Sequence, residues 1–303
     1  MRLDPYLRPL AWATLVANCV LVVTGGAVRL TSSGLGCPTW PRCTDAGFTP
    51  HGALSMHSAI EFGNRTLTFV LAAIAVATFV AAWQSGRRDL RLIALVIGLG
   101  IPAQAVIGGI TVLTNLNPWI VSLHLLSSLV IIALSVLFLR RLDGPAPVAS
   151  LGPVTLLATL NSAVGWVVLY VGTVVTGSGP HAGDAEARRN GLDPLQISQV
   201  HADVVLLFVG LTLGLVFALP AVHASAEAIR ASRVLLLVEV GQGAIGFVQY
   251  FTDLPVVLVG FHMLGAALIT ASMTWLLLAV REQPARVTDL SATGDVATTG
   301  TRA

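Results

Sequence analysis

Residues 104–124 read QAVIGGITVLTNLNPWIVSLH, and residues 242–262 read QGAIGFVQYFTDLPVVLVGFH. Gln104, Ile107, Gly108, Leu116 and His124 return at a constant offset as Gln242, Ile245, Gly246, Leu254 and His262. Pro118 and Pro255 are one residue out of step, as a small loop difference produces. Each copy is an apolar segment, a short polar break with Pro, and a second apolar segment with one His near its start. The repeat implies a duplicated helical unit with a His set into it.

Working outward, the chain is 55% hydrophobic and 11% charged. Soluble domains carry roughly 25% charged residues. Apolar runs long enough to cross a bilayer, ~20 residues, recur along the sequence. We therefore expect an all-α integral membrane protein with eight transmembrane helices as two pseudo-symmetric four-helix bundles. The spans fall near 10–29, 57–83, 91–113, 118–140, 152–176, 198–220, 231–251 and 256–280. The first run lacks a small-residue cleavage site and reads as a span. All 17 basic residues are Arg, and the net charge of +2 is spread between spans, which offers nothing to nucleic acid.

An even number of spans puts both termini on one side. Arg2, Arg8, Arg87, Arg88, Arg91, Arg140, Arg141, Arg230, Arg233, Arg281 and Arg286 share that side, which by the positive-inside rule is cytoplasmic. Arg29, Arg42, Arg188 and Arg189 lie opposite, with the two long loops near 30–56 and 177–197. The expected organisation is an N-terminal four-helix half (1–145), a C-terminal four-helix half (146–283) and a disordered cytoplasmic tail (284–303). The Pro- and Gly-containing segment 140–150 links the halves.

Cys37 and Cys43 lie in the first outer loop, six residues apart. On an oxidising face a disulfide is the favoured reading, and a metal pair the alternative. Cys19 lies within the first span and reads as a small buried apolar residue.

Titratable groups within spans are costly and are functional candidates. They are His57, Glu61, Arg65, His124, His201, Asp203, Glu239 and His262. His201 and His262 begin spans six and eight at matching depth, and two such imidazoles suit the two faces of one haem iron. His124 occupies the same place in span four. Its partner belongs to span two, which reads His57-Ser-Ala-Ile-Glu61-Phe-Gly-Asn64-Arg65. His57 and Asn64 share a helix face but differ in depth by ~10 Å, so only one of them can pair with His124. Glu61 suits proton handling or charge stabilisation, or else a structural hydrogen bond. Arg29 and Arg65 are candidates for haem propionates, although Arg29 also fits a snorkelling interfacial residue. His51, His181 and His223 fall in loops and are expected to be solvated.

Taken together, GGAVRLTSSGLGCPTWPRC (25–43), IEFGNR (60–65), the two Gln-to-His repeats, GTVVTGSGPHAGD (172–184) and His201-Ala-Asp resemble the haem A synthases. The resemblance covers essentially the whole membrane region in order. It implies oxidation of the C8 methyl of haem O to a formyl group by two successive hydroxylations, giving haem A for cytochrome oxidase. It implies haem b held by His201 and His262 as cofactor of the C-terminal half, and haem O bound as substrate in the N-terminal half with His124 as a ligand. It maps a functional glutamate to Glu61 and an outer-loop cysteine pair to Cys37 and Cys43. Expected partners are haem O and haem A, a haem O synthase, cytochrome oxidase assembly proteins, an electron-transfer partner and the lipid bilayer. The expected location is the plasma membrane of a bacterium.

The chain departs from the family's E-x-x-H-R motif at one position, where Asn64 stands in place of the His. Asn is a poor iron ligand. Either His57 takes over, or the iron has one His and an open site. A membrane b-type cytochrome passing electrons from quinol is the competing function, and a transporter is the third. Unlike second-span residues in the two halves weigh against the first. Polar groups near the outer helix ends rather than the midplane weigh against the second.

Overall fold

The computed structural model describes residues 2–49, 55–144, 152–184 and 187–282. After a short 3-10 turn at Asp4–Tyr6 come eight α-helices: α1 Leu7–Leu30, α2 Met56–Gln84, α3 Arg88–Leu113, α4 Pro118–Leu142, α5 Pro153–Ser178, α6 Pro194–Ala221, α7 Ala226–Phe251 and α8 Val256–Arg281. All eight are long and apolar enough to cross a membrane. They match the expected spans to within a few residues. The linker 145–151, the tail from 283 and His51 lie outside the described residues.

The helix starts follow from local chemistry. The side chains of Ser55, Asn117, Asp193 and Ser225 accept backbone N–H groups in the first turns of α2, α4, α6 and α7. A capping oxygen satisfies donors that the helix cannot. Pro118, Pro153 and Pro194 occupy first helical positions, where the missing N–H costs nothing.

The duplication extends to the backbone of the turns. Asn115 and Leu116, between α3 and α4, both have positive φ (51° and 57°), as do Asp253 and Leu254 between α7 and α8 (both 56°). The Leu116 N–H donates to Thr111 O at 2.8 Å, and the Leu254 N–H to Gln249 O at 2.9 Å. These positions correspond under the sequence offset. One strained turn is thus built twice, closing the last carbonyls of α3 and α7 in the same way.

Helices α1–α4 pack as a ring in which each touches the next and α4 returns to α1; α5–α8 do the same. The rings meet through α1 with α8, α4 with α8 and α4 with α5. The largest core cluster crosses this seam, with Val22, Ile132, Phe208, Leu215, Met273 and Leu276 among its buried members. Large apolar side chains such as Phe69, Leu99, Phe217 and Leu237 point outward, as lipid contact requires.

The two ends of the bundle differ. One is Arg-rich: Arg140 bonds Glu227 and, at 2.9 Å, Glu282. Arg141 also bonds Glu282, and Trp275 Nε1 donates to Glu227 at 2.9 Å. The other end carries the long loops. There Arg29 donates through Nε to His181 O (2.5 Å) and through Nη2 to Thr176 O (2.8 Å), and the Gly34 N–H donates to Gly183 O at 2.9 Å. The first half's loop is thereby fastened to the exit of α5.

Two expectations are corrected. His181 is not solvated: it is half-buried, and its Nε2–H donates to Leu254 O at 2.9 Å, because Arg29 of α1 holds its carbonyl and the turn between α7 and α8 meets its ring. Asp203 is exposed on α6 rather than buried in the bundle, since its position on the helix turns it away from the ring. His223 is exposed, as expected.

Candidate functional site

Three of the sequence-selected histidines sit in one recurring environment. Each imidazole lies against a glycine on the preceding helix. A Cβ built at Gly108 would come within 3.3 Å of His124 Cε1, one at Gly172 within 3.1 Å of His201 Cε1, and one at Gly246 within 3.2 Å of His262 Cε1. Any side chain there would press on the ring. These glycines are features that charge and polarity alone did not single out; the repetition of Gly108 as Gly246 was the available signal.

His201 lies in the second turn of α6 and His262 in the second turn of α8. The Nδ1 atoms of both are buried without a hydrogen-bond partner. Buried polar atoms are nearly always satisfied, so these two ring nitrogens, on α6 and α8, stand out. Gln242 Nε2 donates to His262 O at 2.7 Å, while its Oε1 is also buried and unpartnered. In the first half one end of the Gln104 amide lies 2.8 Å from His124 Nδ1 and the other 2.8 Å from Ser128 N. The Gln of each repeat thus braces the helix that carries its His.

The second-span residues have other company. Glu61 is 5% exposed. Its Oε1 accepts from Arg65 Nη2 at 2.5 Å and its Oε2 from the Cys37 N–H at 2.6 Å. Arg65 also donates to the carbonyls of Cys37 (3.0 Å) and Thr39 (3.2 Å). One turn of α2 therefore grips the loop around a disulfide between Cys37 and Cys43, both buried. The metal-pair alternative for these cysteines is excluded, and among the described residues no group of His, Cys, Asp and Glu gathers as a bare metal ion would require. Asn64 Oδ1 accepts from Thr24 Oγ1 of α1 at 2.8 Å. His57 is exposed in the first turn of α2, its Nδ1 3.0 Å from Ser33 Oγ. It lines an outward-opening pocket of about 440 Å³ with Ser32, Leu35, Gly36, Ser55 and Asp184.

Glu239, half-way along α7, is 3% exposed. Thr212 Oγ1 donates to its Oε1 at 2.6 Å, and Asn161 Nδ2 donates to Thr212 Oγ1 at 2.8 Å. Its Oε2 has no partner.

Against this geometry the comparisons can be placed. The model of the COX15-CtaA family, described as cytochrome oxidase assembly protein, matches residues 8–185, more than half of the chain. The chain belongs to this family. The COX15-CtaA match takes in α1 to α5, with Glu61, Asn64 and His124; His201 and His262 lie beyond it. Among curated relatives, a protein named heme A synthase from Geobacillus thermodenitrificans is 32% identical over 126 residues, covering 41% of this chain and 39% of the relative. A heme A synthase from Geobacillus kaustophilus (strain HTA426) is 30% identical over 129 residues, with coverage of 41% and 39%. One from Lysinibacillus sphaericus (strain C3-41) is 31% identical over 133 residues, 43% of each. The matched stretch spans about two fifths of these relatives' length.

Proposed function

We propose that this chain is a haem A synthase, a multi-pass enzyme of a bacterial plasma membrane that oxidises the C8 methyl of haem O to a formyl group. Membership of the COX15-CtaA family and the names of the matched relatives support the activity class. The observation that carries the haem reading is the like setting of His201 and His262, each with a buried, unpartnered ring nitrogen and a glycine of the preceding helix at its edge. That donor set would suit a haem, with His201 and His262 as the residues that would hold its iron.

In this reading His201 and His262 hold haem b in the C-terminal half (146–283), and the N-terminal half (1–145) holds haem O through His124. Haem iron, when bound, supplies the redox chemistry that a protein side chain cannot. The chain's own residues supply position and enclosure. Gly108, Gly172 and Gly246 admit the rings, and Gln104 and Gln242 brace the helices that carry them. Glu61 and Arg65 hold the disulfide loop over the first half. Arg29 and Arg65 already serve backbone carbonyls, so a propionate bound at either would share the guanidinium with those carbonyls. Haem O is apolar and passes to the site from a haem O synthase within the bilayer, and the product goes to cytochrome oxidase assembly. The Arg-rich end, with both termini, faces the cytoplasm.

The test is chromatography of haems extracted from a host that makes haem O, with and without the chain. Haem A should appear with the intact chain and vanish with His124→Ala. Haem b alone, with haem O available and redox partners present, would overturn the synthase reading in favour of a b-type cytochrome.

A further inference from the structure

We propose that the N-terminal half gives its haem iron a single protein ligand, His124, and leaves the opposite axial position open beside Gly25, Thr24 and Asn64. The inference rests on the haem reading above and sharpens it. It assigns the site a second ligand class, a small neutral diatomic molecule.

The argument starts from the duplication. His124 stands as far into α4 from Pro118 as His262 stands into α8 from Val256. Gly108 lies as far from Leu113, the end of α3, as Gly246 lies from Phe251, the end of α7. On this side of the macrocycle the halves are therefore equivalent, His against Gly in both. On the other side, Asn64 stands as far from Gln84, the end of α2, as His201 stands from Ala221, the end of α6. Asn64 thus holds the place that His201 fills in the second half.

The neighbouring helix repeats the same comparison. The buried positions Ala11, Thr14, Leu15, Asn18, Val22, Gly26 and Leu30 of α1 recur at a constant offset in α5 as Ala158, Asn161, Ser162, Gly165, Leu169, Thr173 and Gly177, and in that register Gly25 corresponds to Gly172. A Cβ at Gly172 would lie 3.1 Å from the His201 ring, whereas one at Gly25 would meet nothing within 4 Å. The glycine gap has been kept while the imidazole it serves is absent. Asn64 does not reach across it: its Oδ1 is held by Thr24 Oγ1 at 2.8 Å on the adjacent turn of α1. An amide oxygen is in any case a weak partner for haem iron beside imidazole.

His57 does not make up the deficit. It lies two turns earlier in α2, ~10 Å along the axis from Asn64 at 1.5 Å per residue. It is exposed and lines the outer pocket, and its ring is tied to Ser33. A Cβ at Gly36 would lie 2.5 Å from His57 O, so the disulfide loop is packed directly on this turn. Drawing His57 inward by two turns would require α2 to slide against that loop, which Glu61 and Arg65 fasten to the same helix.

The experiment uses the full chain purified with its haem, reduced and titrated with carbon monoxide, and read by visible absorption and resonance Raman. One haem should be six-coordinate, low-spin and indifferent to carbon monoxide; the other should be five-coordinate, high-spin and bind it. Asn64→His should convert the second haem to six-coordinate low-spin and abolish carbon monoxide binding. His57→Ala should leave both spectra and the titration unchanged. Two low-spin haems that ignore carbon monoxide in the unmodified chain would overturn the inference. So would a low-spin to high-spin conversion caused by His57→Ala. The unmodified chain alone decides the matter if either variant fails to fold. A preparation that binds no haem would instead overturn the haem reading itself, and this inference with it.

Discussion

Replacing Glu61 with Gln separates two roles for this residue, because the structure commits both carboxylate oxygens to the loop that it anchors. Oε1 is paired with Arg65 and Oε2 accepts from the Cys37 N–H, with the Glu61 side chain 7% and the Arg65 side chain 23% exposed. Hydrogen bonds to charged groups contribute about 1.5–3 kcal/mol each. Gln keeps the shape and one acceptor oxygen, so the net loss is that of about one such bond, the solvent-screened part of the Arg65 pair being discounted. At 1.36 kcal/mol per decade, local opening of the 37–43 loop should become roughly 10- to 150-fold more frequent. The disulfide is buried at both sulfur-bearing residues, so its reduction reports that opening. The assay is the rate of Cys37–Cys43 reduction by a small thiol in detergent, followed by alkylation and mass spectrometry. Reduction should accelerate within that range, and Arg65→Gln should do the same, since Arg65 holds the Cys37 and Thr39 carbonyls. An unchanged reduction rate in Glu61→Gln would refute the anchoring argument.

Two further outcomes follow from packing and charge. Gly172→Leu should remove the low-spin haem signal of the C-terminal half while leaving the N-terminal signal, because even a Cβ there would lie 3.1 Å from the His201 ring; visible spectra of the purified variant check it. Glu282→Ala should lower thermal stability by about 2–4 kcal/mol, because it leaves Arg140 and Arg141, with side chains 20% and 15% exposed, without the carboxylate they share; the unfolding midpoint in detergent measures it.

Much of the architecture was legible beforehand because the bilayer restricts what a chain can do. Every buried backbone group must be satisfied within the segment, so apolar runs of spanning length become helices. The repeat of residues 104–124 as 242–262 then implied two like units. The histidines were legible for the same reason, since polar groups within spans stand out against an apolar background. Less visible was how the loops use polar side chains. Arg29 read as a propionate partner or a snorkelling residue and His181 as a solvated one, yet Arg29 donates to the His181 carbonyl and the His181 ring reaches Leu254. The first of these bonds spans 152 positions in the chain, and no local pattern announces it. Glu61 read as a proton carrier or charge stabiliser, with a structural hydrogen bond as the alternative, and its partners Arg65 and the Cys37 N–H are visible only in the fold.

By itself the sequence determined the helix count, the duplication, the placement of His124, His201 and His262 near equivalent helix starts, and the substitution at Asn64. Those are properties of composition and spacing, carried along the chain. Tertiary structure alone decided which glycine faces which imidazole, that Gly25 faces none, and that His57 turns to Ser33 rather than inward. The physical reason is that helix periodicity assigns each residue a face and a depth, whereas what stands opposite depends on how helices distant in sequence rotate and slide as they pack.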